Sequence, residues 1–258
     1  MNSELNLSKE IDDLKQKNHE LEKRTIYLES CIENLDFSPK VQCPICGGEH
    51  LAFLPYGVNI RKNALCPNCF SLERHRFIYY FLKEKTDFFN KNIKILHFAP
   101  EQVFFNLFEG LSNFDYITAD IENKENIKEV IDMTNITYPE NTFDTILNFH
   151  VLEHIQDDLK AMSELYRVVK PSNEGGFVLI SVPLKADITY ENDQYNTPEL
   201  RLKYFGHKEH VRNYGFDIES RLKSVGFKVT LFKPSDILNA DEIKKYGIKN
   251  DYLYYCEK

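Results

Sequence analysis

From residue 93 onward the chain alternates short apolar runs with stretches of helical periodicity, and this alternation restricts the fold more than any other feature. IKILHFA (93–99), FDYITADI (114–121), IKEVIDM (127–133), FDTILNF (143–149) and GGFVLISVPL (175–184) have the length and composition of buried strands. DDLKAMSELYRVV (157–169) has helical spacing: Leu159, Met162, Leu165, Tyr166 and Val169 share a face, and Pro171 follows its end. FDIESRLKSVG (216–226) reads as a helix closed by Gly226, while FKVTLF and DYLYYCEK (251–258) read as late strands. The segment 73–90, with FIYYFLKEK, reads as a helix leading into the sheet. Strands alternating with helices predict an α/β domain. The polar stretch 185–205, rich in Tyr and Asn, reads as an insertion or lid.

Four of the six cysteines form two Cys-Pro-x-Cys turns, Cys43/Cys46 and Cys66/Cys69; Cys31 and Cys256 stand alone. Two thiolates three positions apart on a tight turn can reach one ion, and two such turns supply a tetrahedral set. The spacing predicts a structural Zn2+ with no open position. The polar, acidic N-terminus has no secretory pattern, so the pairs read as metal ligands in a reducing cytoplasm rather than disulfides. Pro44 and Pro67 stiffen the turns, and Gly47 and Gly48 can supply positive φ. Arg74, His75 and Arg76 follow directly and read as the solvated start of a helix, with a phosphate or substrate contact as the alternative.

Residues 5–35 carry a heptad repeat. Leu7, Leu14, Leu21, Leu28 and Leu35 fall at d, and Ile11, Asn18, Thr25 and Ile32 at a. Glu10/Lys15, Lys17/Glu22 and Arg24/Glu29 are opposite-sign pairs at g and the next e, which predicts a parallel homodimeric coiled coil. The expected organisation is a coiled-coil helix (1–37), a four-cysteine zinc-binding segment (38–75) and an α/β domain (76–258).

No apolar run approaches the length of a membrane span, and the net charge of −8 argues against an extended nucleic-acid surface. Only Gly110 lies between Gly57 and Gly175, which excludes a G-x-G-x-x-G phosphate loop there and with it a nicotinamide-dependent reductase.

The block 130–176 resembles the class I S-adenosylmethionine-dependent methyltransferases of the type 11 group. The matching residues are Asp132–Met133, the Tyr-Pro-x-x-x-Phe-Asp approach to the fourth strand, His-Val-Leu-Glu-His-Ile, and Arg-Val-Val-Lys-Pro before Gly-Gly. CPICG, CPNCFSLERHR, LHFAPE and FGHKEHVRNYG extend the resemblance to bacterial members with an N-terminal zinc-binding segment. The resemblance implies a Rossmann-like, seven-stranded, mostly parallel sheet whose last strand is antiparallel. It implies S-adenosylmethionine as cofactor, with Phe98, Ala99, Pro100 and Glu101 under its methionine part. It further implies Asp120 and Ile121 at the ribose, Asp132 and Met133 at the adenine, and Asn148 near the transferred methyl. The family's glycine motif after the first strand is replaced by HFAPEQ; a sulfonium cofactor carries no phosphate and needs no anion nest there.

Methyl transfer to a hydroxyl requires a base, for which His150 comes first and His207 and His210 next, with Arg212 and Tyr214 as acceptor contacts. Glu153 and His154 read as residues fixing the turn after the fourth strand. The expected acceptor is a small molecule or saccharide, with RNA methylation or a catalytically inactive scaffold as alternatives.

Overall fold

The computed structural model describes residues 2–32, 38–249 and 251–258. Contacts divide it into residues 1–40 and residues 41–258. In the first part, Asn2–Ile32 is one 31-residue helix. Leu7, Ile11, Leu14, Leu21 and Leu28 are all exposed on it. Leu35 and the side chain of Ile32, the remaining apolar heptad positions, lie outside the described residues.

In the second part the apolar runs pair into one seven-stranded sheet. Its strands are β1 (Ile93–Phe98), β2 (Phe114–Asp120), β3 (Glu129–Val130), β4 (Thr145–Phe149), β5 (Phe177–Ser181), β6 (Lys228–Phe232) and β7 (Leu253–Glu257). Their spatial order is β6-β7-β5-β4-β1-β2-β3. β7 runs antiparallel to β5 and β6, and the other pairings are parallel. This is the Rossmann-like sheet with an antiparallel last strand. Alternate residues of each strand enter separate cores. Leu96, Ile117, Ile146 and Val178 pack with the Asp158–Val168 helix. Ile95, Tyr116, Leu147 and Leu179 pack with the Glu73–Lys85 and Gln102–Phe108 helices. Burial on both faces explains why the strands read as continuous apolar runs.

His97 interrupts one run without leaving the core. It is fully buried among Phe104, Phe108, Tyr116 and Phe149, with Nδ1 2.9 Å from the Tyr116 hydroxyl. Burial pushes its imidazole down to about 3, so it is neutral at pH 7.

Three expectations change. The run 127–133 contributes only Glu129–Val130 to the sheet, because Asp132 turns the chain by accepting from the Thr134 N–H and hydroxyl. The stretch 185–205 is structured: Leu184–Ala186 and Tyr190–Glu191 flank Arg212–Gly215 in a three-stranded sheet, and Pro198–Phe205 is a helix. The start of the Glu73–Lys85 helix is not solvated. Arg76 is fully buried, donating to the Ala64, Ser71, Tyr246 and Gly247 carbonyls, with its guanidinium 4.1 Å from the Phe53 ring centroid. Those four carbonyls replace the water that a buried guanidinium loses.

Candidate active site and thiolate cluster

The strand register aligns Phe98, Ala119, Asn148 and Ile180 across adjoining strands, so β1, β2 and β4 end together. Beyond them the loops after β1, β2, β3 and β4 enclose a cavity of about 420 Å3. The sheet order reverses between β1 and β4, where open α/β sheets form their ligand crevice. Of the expected cofactor residues, Phe98, Ala99, Asp120, Ile121, Asp132 and Met133 line this cavity. Apolar walls are combined with the carboxylates of Asp120, Asp132 and Asp157, and among the described residues the lining contains no Lys or Arg. Such a lining disfavours a phosphate ligand and suits a cationic or neutral one.

Asp120 ends β2 with its side chain 10% exposed. Its Oδ1 accepts the Glu122 N–H at 3.0 Å, and Lys124 Nζ lies 3.1 Å from Oδ2. Lys124 is itself half exposed and can swing away at little cost. Asn148 lies beneath the lining, with Nδ2 3.2 Å from Met133 Sδ and Oδ1 buried without a partner.

The turn after β1 takes the left-handed conformation that a glycine there would adopt freely. Ala99 has φ of 45° and donates its N–H to Ala119 O at 2.7 Å. Pro100 and Glu101 do not line the cavity. Glu101 instead receives the Arg74 guanidinium and lies 2.7 Å from His75 Nε2. His75 Nδ1 accepts the Leu72 N–H, which leaves the proton of the neutral ring on Nε2, toward Glu101. Burial opposes the charge of Glu101, but His75 and Arg74 hold its carboxyl down at about 2.

The three histidines expected to act as bases separate into two places. His150, at φ of 57°, lines a second cavity of about 280 Å3 with Arg61, Glu73, Arg74, Lys249 and Asp251. Its Nδ1 lies 3.4 Å from Glu153 Oε1, and its Nε2 is buried without a partner. His207 and His210 instead gather against His154, which lines the first cavity. Burial lowers His210 to about 4.

Arg212 and Tyr214, expected at the acceptor, are both buried and committed elsewhere. Arg212 donates to the Leu152, Ile155 and Gln156 carbonyls and to Glu191; Tyr214 donates to Asp158 Oδ2 at 2.6 Å. They brace the turn after β4, and neither lines the cavity beyond β1–β4 or the His150 cavity; Arg212 borders a third, polar cavity with Asp158, Glu191 and Arg221. Sequence reasoning missed Thr134, Val151, Ile155, Gln156 and Asp157 in the cavity lining. Apart from a carboxylate just beyond the HVLEHI block, nothing in their residue types marks them.

The two Cys-x-x-Cys turns are built alike. Gly47 N–H bonds to Cys43 O and Phe70 N–H to Cys66 O, with Gly47 and Phe70 both at positive φ. Gly48 has no positive φ; a Cβ there would meet Asn68 and His50 instead. The four sulfurs lie within 4.8 Å of one another, with Cys43–Cys69 at 3.6 Å and Cys46–Cys66 at 3.7 Å. Zinc–sulfur bonds of about 2.3 Å at tetrahedral angles put sulfurs about 3.8 Å apart, so this set fits the ion. The Cys69 thiol, by hydrogen bonding, draws Cys43 down to about 4, and the same bond pushes Cys69 far up. A cation among the four would let all ionise.

Residues 74–231 match the methyltransferase domain family. A 94-residue stretch is 29% identical to a protein of Mycolicibacterium smegmatis named "Probable S-adenosylmethionine-dependent methyltransferase", covering 35% of each chain. The chain therefore spans about a third of that relative's length. Similar solved structures include 1,6-didemethyltoxoflavin-N1-methyltransferase of Burkholderia thailandensis with bound 1,6-didemethyltoxoflavin and S-adenosylhomocysteine. Its TM-score is 0.47 at 11% identity, covering 72% of this chain and 77% of that one. The YcgJ protein of Bacillus subtilis has a TM-score of 0.45 at 11% identity, covering 72% of this chain and 99% of that one.

Proposed function

Since the chain belongs to the methyltransferase domain family, which its residues 74–231 match, we propose that it is an S-adenosylmethionine-dependent methyltransferase whose cofactor occupies the cavity beyond β1–β4. The observation that carries this reading is Asp120, a nearly buried carboxylate at the end of β2, facing a cavity lined without Lys or Arg among the described residues. An acid there accepts both ribose hydroxyls once Lys124 moves aside. Asp132 and Met133 border the adenine, and Asn148 holds Met133 from below. Bound there, the cofactor supplies the electrophile, a methyl group on a sulfonium sulfur. The acidic lining favours that positive charge.

We assign the acceptor to the second cavity and the base to His150. Nε2 without a partner supports its taking a proton from an acceptor hydroxyl, with Glu153 beside Nδ1 to favour the imidazolium that forms. The acceptor is a small molecule or saccharide; Arg74 and Lys249 on this cavity are donors for its oxygens. Zn2+ is held by Cys43, Cys46, Cys66 and Cys69 and is structural, since four thiolates leave no open position. We take residues 38–75 as the zinc-binding segment and 76–258 as the catalytic domain, acting in the cytoplasm. Among the described residues no helix is long and apolar enough to cross a membrane.

Titration calorimetry with S-adenosylhomocysteine tests the cofactor site. Wild type should bind, and Asp120→Asn should weaken binding by roughly 10- to 100-fold, the cost of exchanging hydrogen bonds to a charged group for neutral ones. Absence of binding at millimolar ligand would favour a scaffold that has lost catalysis.

A further inference from the structure

The turn after β4 and the segment leading into Arg212–Gly215 are sewn together from below. Val211 N–H bonds to Glu153 O at 2.9 Å, and the buried Arg212 guanidinium binds the Leu152, Ile155 and Gln156 carbonyls. This bracing sets His154 of the first segment against His207 and His210 of the second. One ring nitrogen from each lies within 4.8 Å of the others, and the ring centroids are 4.7, 4.8 and 5.7 Å apart. His210 Nδ1 is buried without a hydrogen-bond partner. Glu153 is nearly buried, and its Oε2 is also without a partner. The cluster therefore combines three nitrogen donors, one unsatisfied, with an adjacent buried negative charge.

We propose that His154, His207 and His210 form a second metal site, for a divalent transition ion of the Zn2+ or Fe2+ class, at the rim of the first cavity. Imidazole nitrogens suit these ions, and a set of three leaves positions open for water or another oxygen ligand. The site thus differs in kind from the four-thiolate cluster, which is closed. Nitrogens within 4.8 Å need only small ring rotations to converge at metal–nitrogen distances of about 2.1 Å. His207 is exposed, and its Nδ1 accepts a long 3.3 Å bond from the Glu209 N–H, which ligation through Nε2 would leave in place. Glu153, which precedes His154 and acts electrostatically on His210, would offset part of the ion's charge through space rather than by a hydrogen bond to a ligating ring. The proposal does not depend on methyl transfer, because its readout is metal binding.

The test uses the full chain with zinc retained at the cysteines, titrated with cobalt(II) against a competing chelating dye. Wild type should take up one further ion per chain, with weak ligand-field absorption and no thiolate charge-transfer band. His207→Ala and His210→Ala should each abolish that uptake while keeping cysteine-bound zinc and the unfolding midpoint; His207→Ala removes an exposed side chain and so keeps the fold. Failure of wild type to take up the further ion, a thiolate band accompanying all uptake, or unchanged uptake in both variants would overturn the assignment.

Discussion

Ala99 holds the first cavity loop in a conformation that costs a side chain energy. Its φ of 45° falls where an L-residue with a Cβ is penalised by about 1–2 kcal/mol. Glycine escapes this penalty but gives back part of the gain through its freer unfolded chain, about 0.5–1 kcal/mol. Ala99→Gly should therefore raise stability by about 0.5–1 kcal/mol, read as a higher denaturant midpoint at unchanged slope. A loss of stability would mean that the Ala99 methyl packs more than its backbone strains. Asp120, at the end of β2, and Asp132, in the turn after β3, were legible as cavity residues through the family resemblance, which marks their places. The partnership of His154 with His207 and His210 was not, since these residues are far apart in sequence and meet only through the Arg212 clamp. The same clamp explains why Arg212 and Tyr214 lie outside the linings of both cavities. A polar-rich stretch looks solvated until the carbonyls that satisfy it are known.

At the scale of elements, the strands of the central sheet were readable because burial on both faces leaves uninterrupted apolar runs. The short helices were less so. Pro198–Phe205 has its signals in plain order, with Thr197 capping, Pro198 opening and Gly206 closing it, but its weakly apolar composition resembles a loop. Ala240–Lys245 likewise starts on an Asn239/Glu242 capping box. The N-terminal helix is the clearest element by pattern. Its heptad leucines Leu7, Leu14, Leu21 and Leu28 are between 50% and 61% exposed within one chain. Such a seam is stable in water when a second copy covers it. Deleting residues 1–37 should convert a dimer to a folded monomer by light scattering. A persisting dimer would place the association elsewhere.

Across the catalytic part of the molecule, the thiolate cluster and the first cavity are mechanically joined. Arg76 fastens the loops beside Cys66 to the Tyr246–Gly247 turn, and Arg74 and His75 reach from the same helix to Glu101, two residues beyond Ala99. The cysteine-bearing segment therefore helps set the loop on which the cofactor's methionine part is proposed to rest, and Arg74 also borders the second cavity. On the proposed reading, the acidic lining of the first cavity would receive the cofactor, and the second cavity, where Arg61, Arg74 and Lys249 stand with Glu73 and Asp251, would receive the acceptor. The crystal structure of the full chain with S-adenosylhomocysteine is the most direct measurement of that arrangement. It should show the ribose hydroxyls on Asp120 with Lys124 displaced, and the adenine against Asp132 and Met133. Ligand bound away from β1–β4, or Asp120 still paired with Lys124 beneath an empty cavity at saturating ligand, would contradict it.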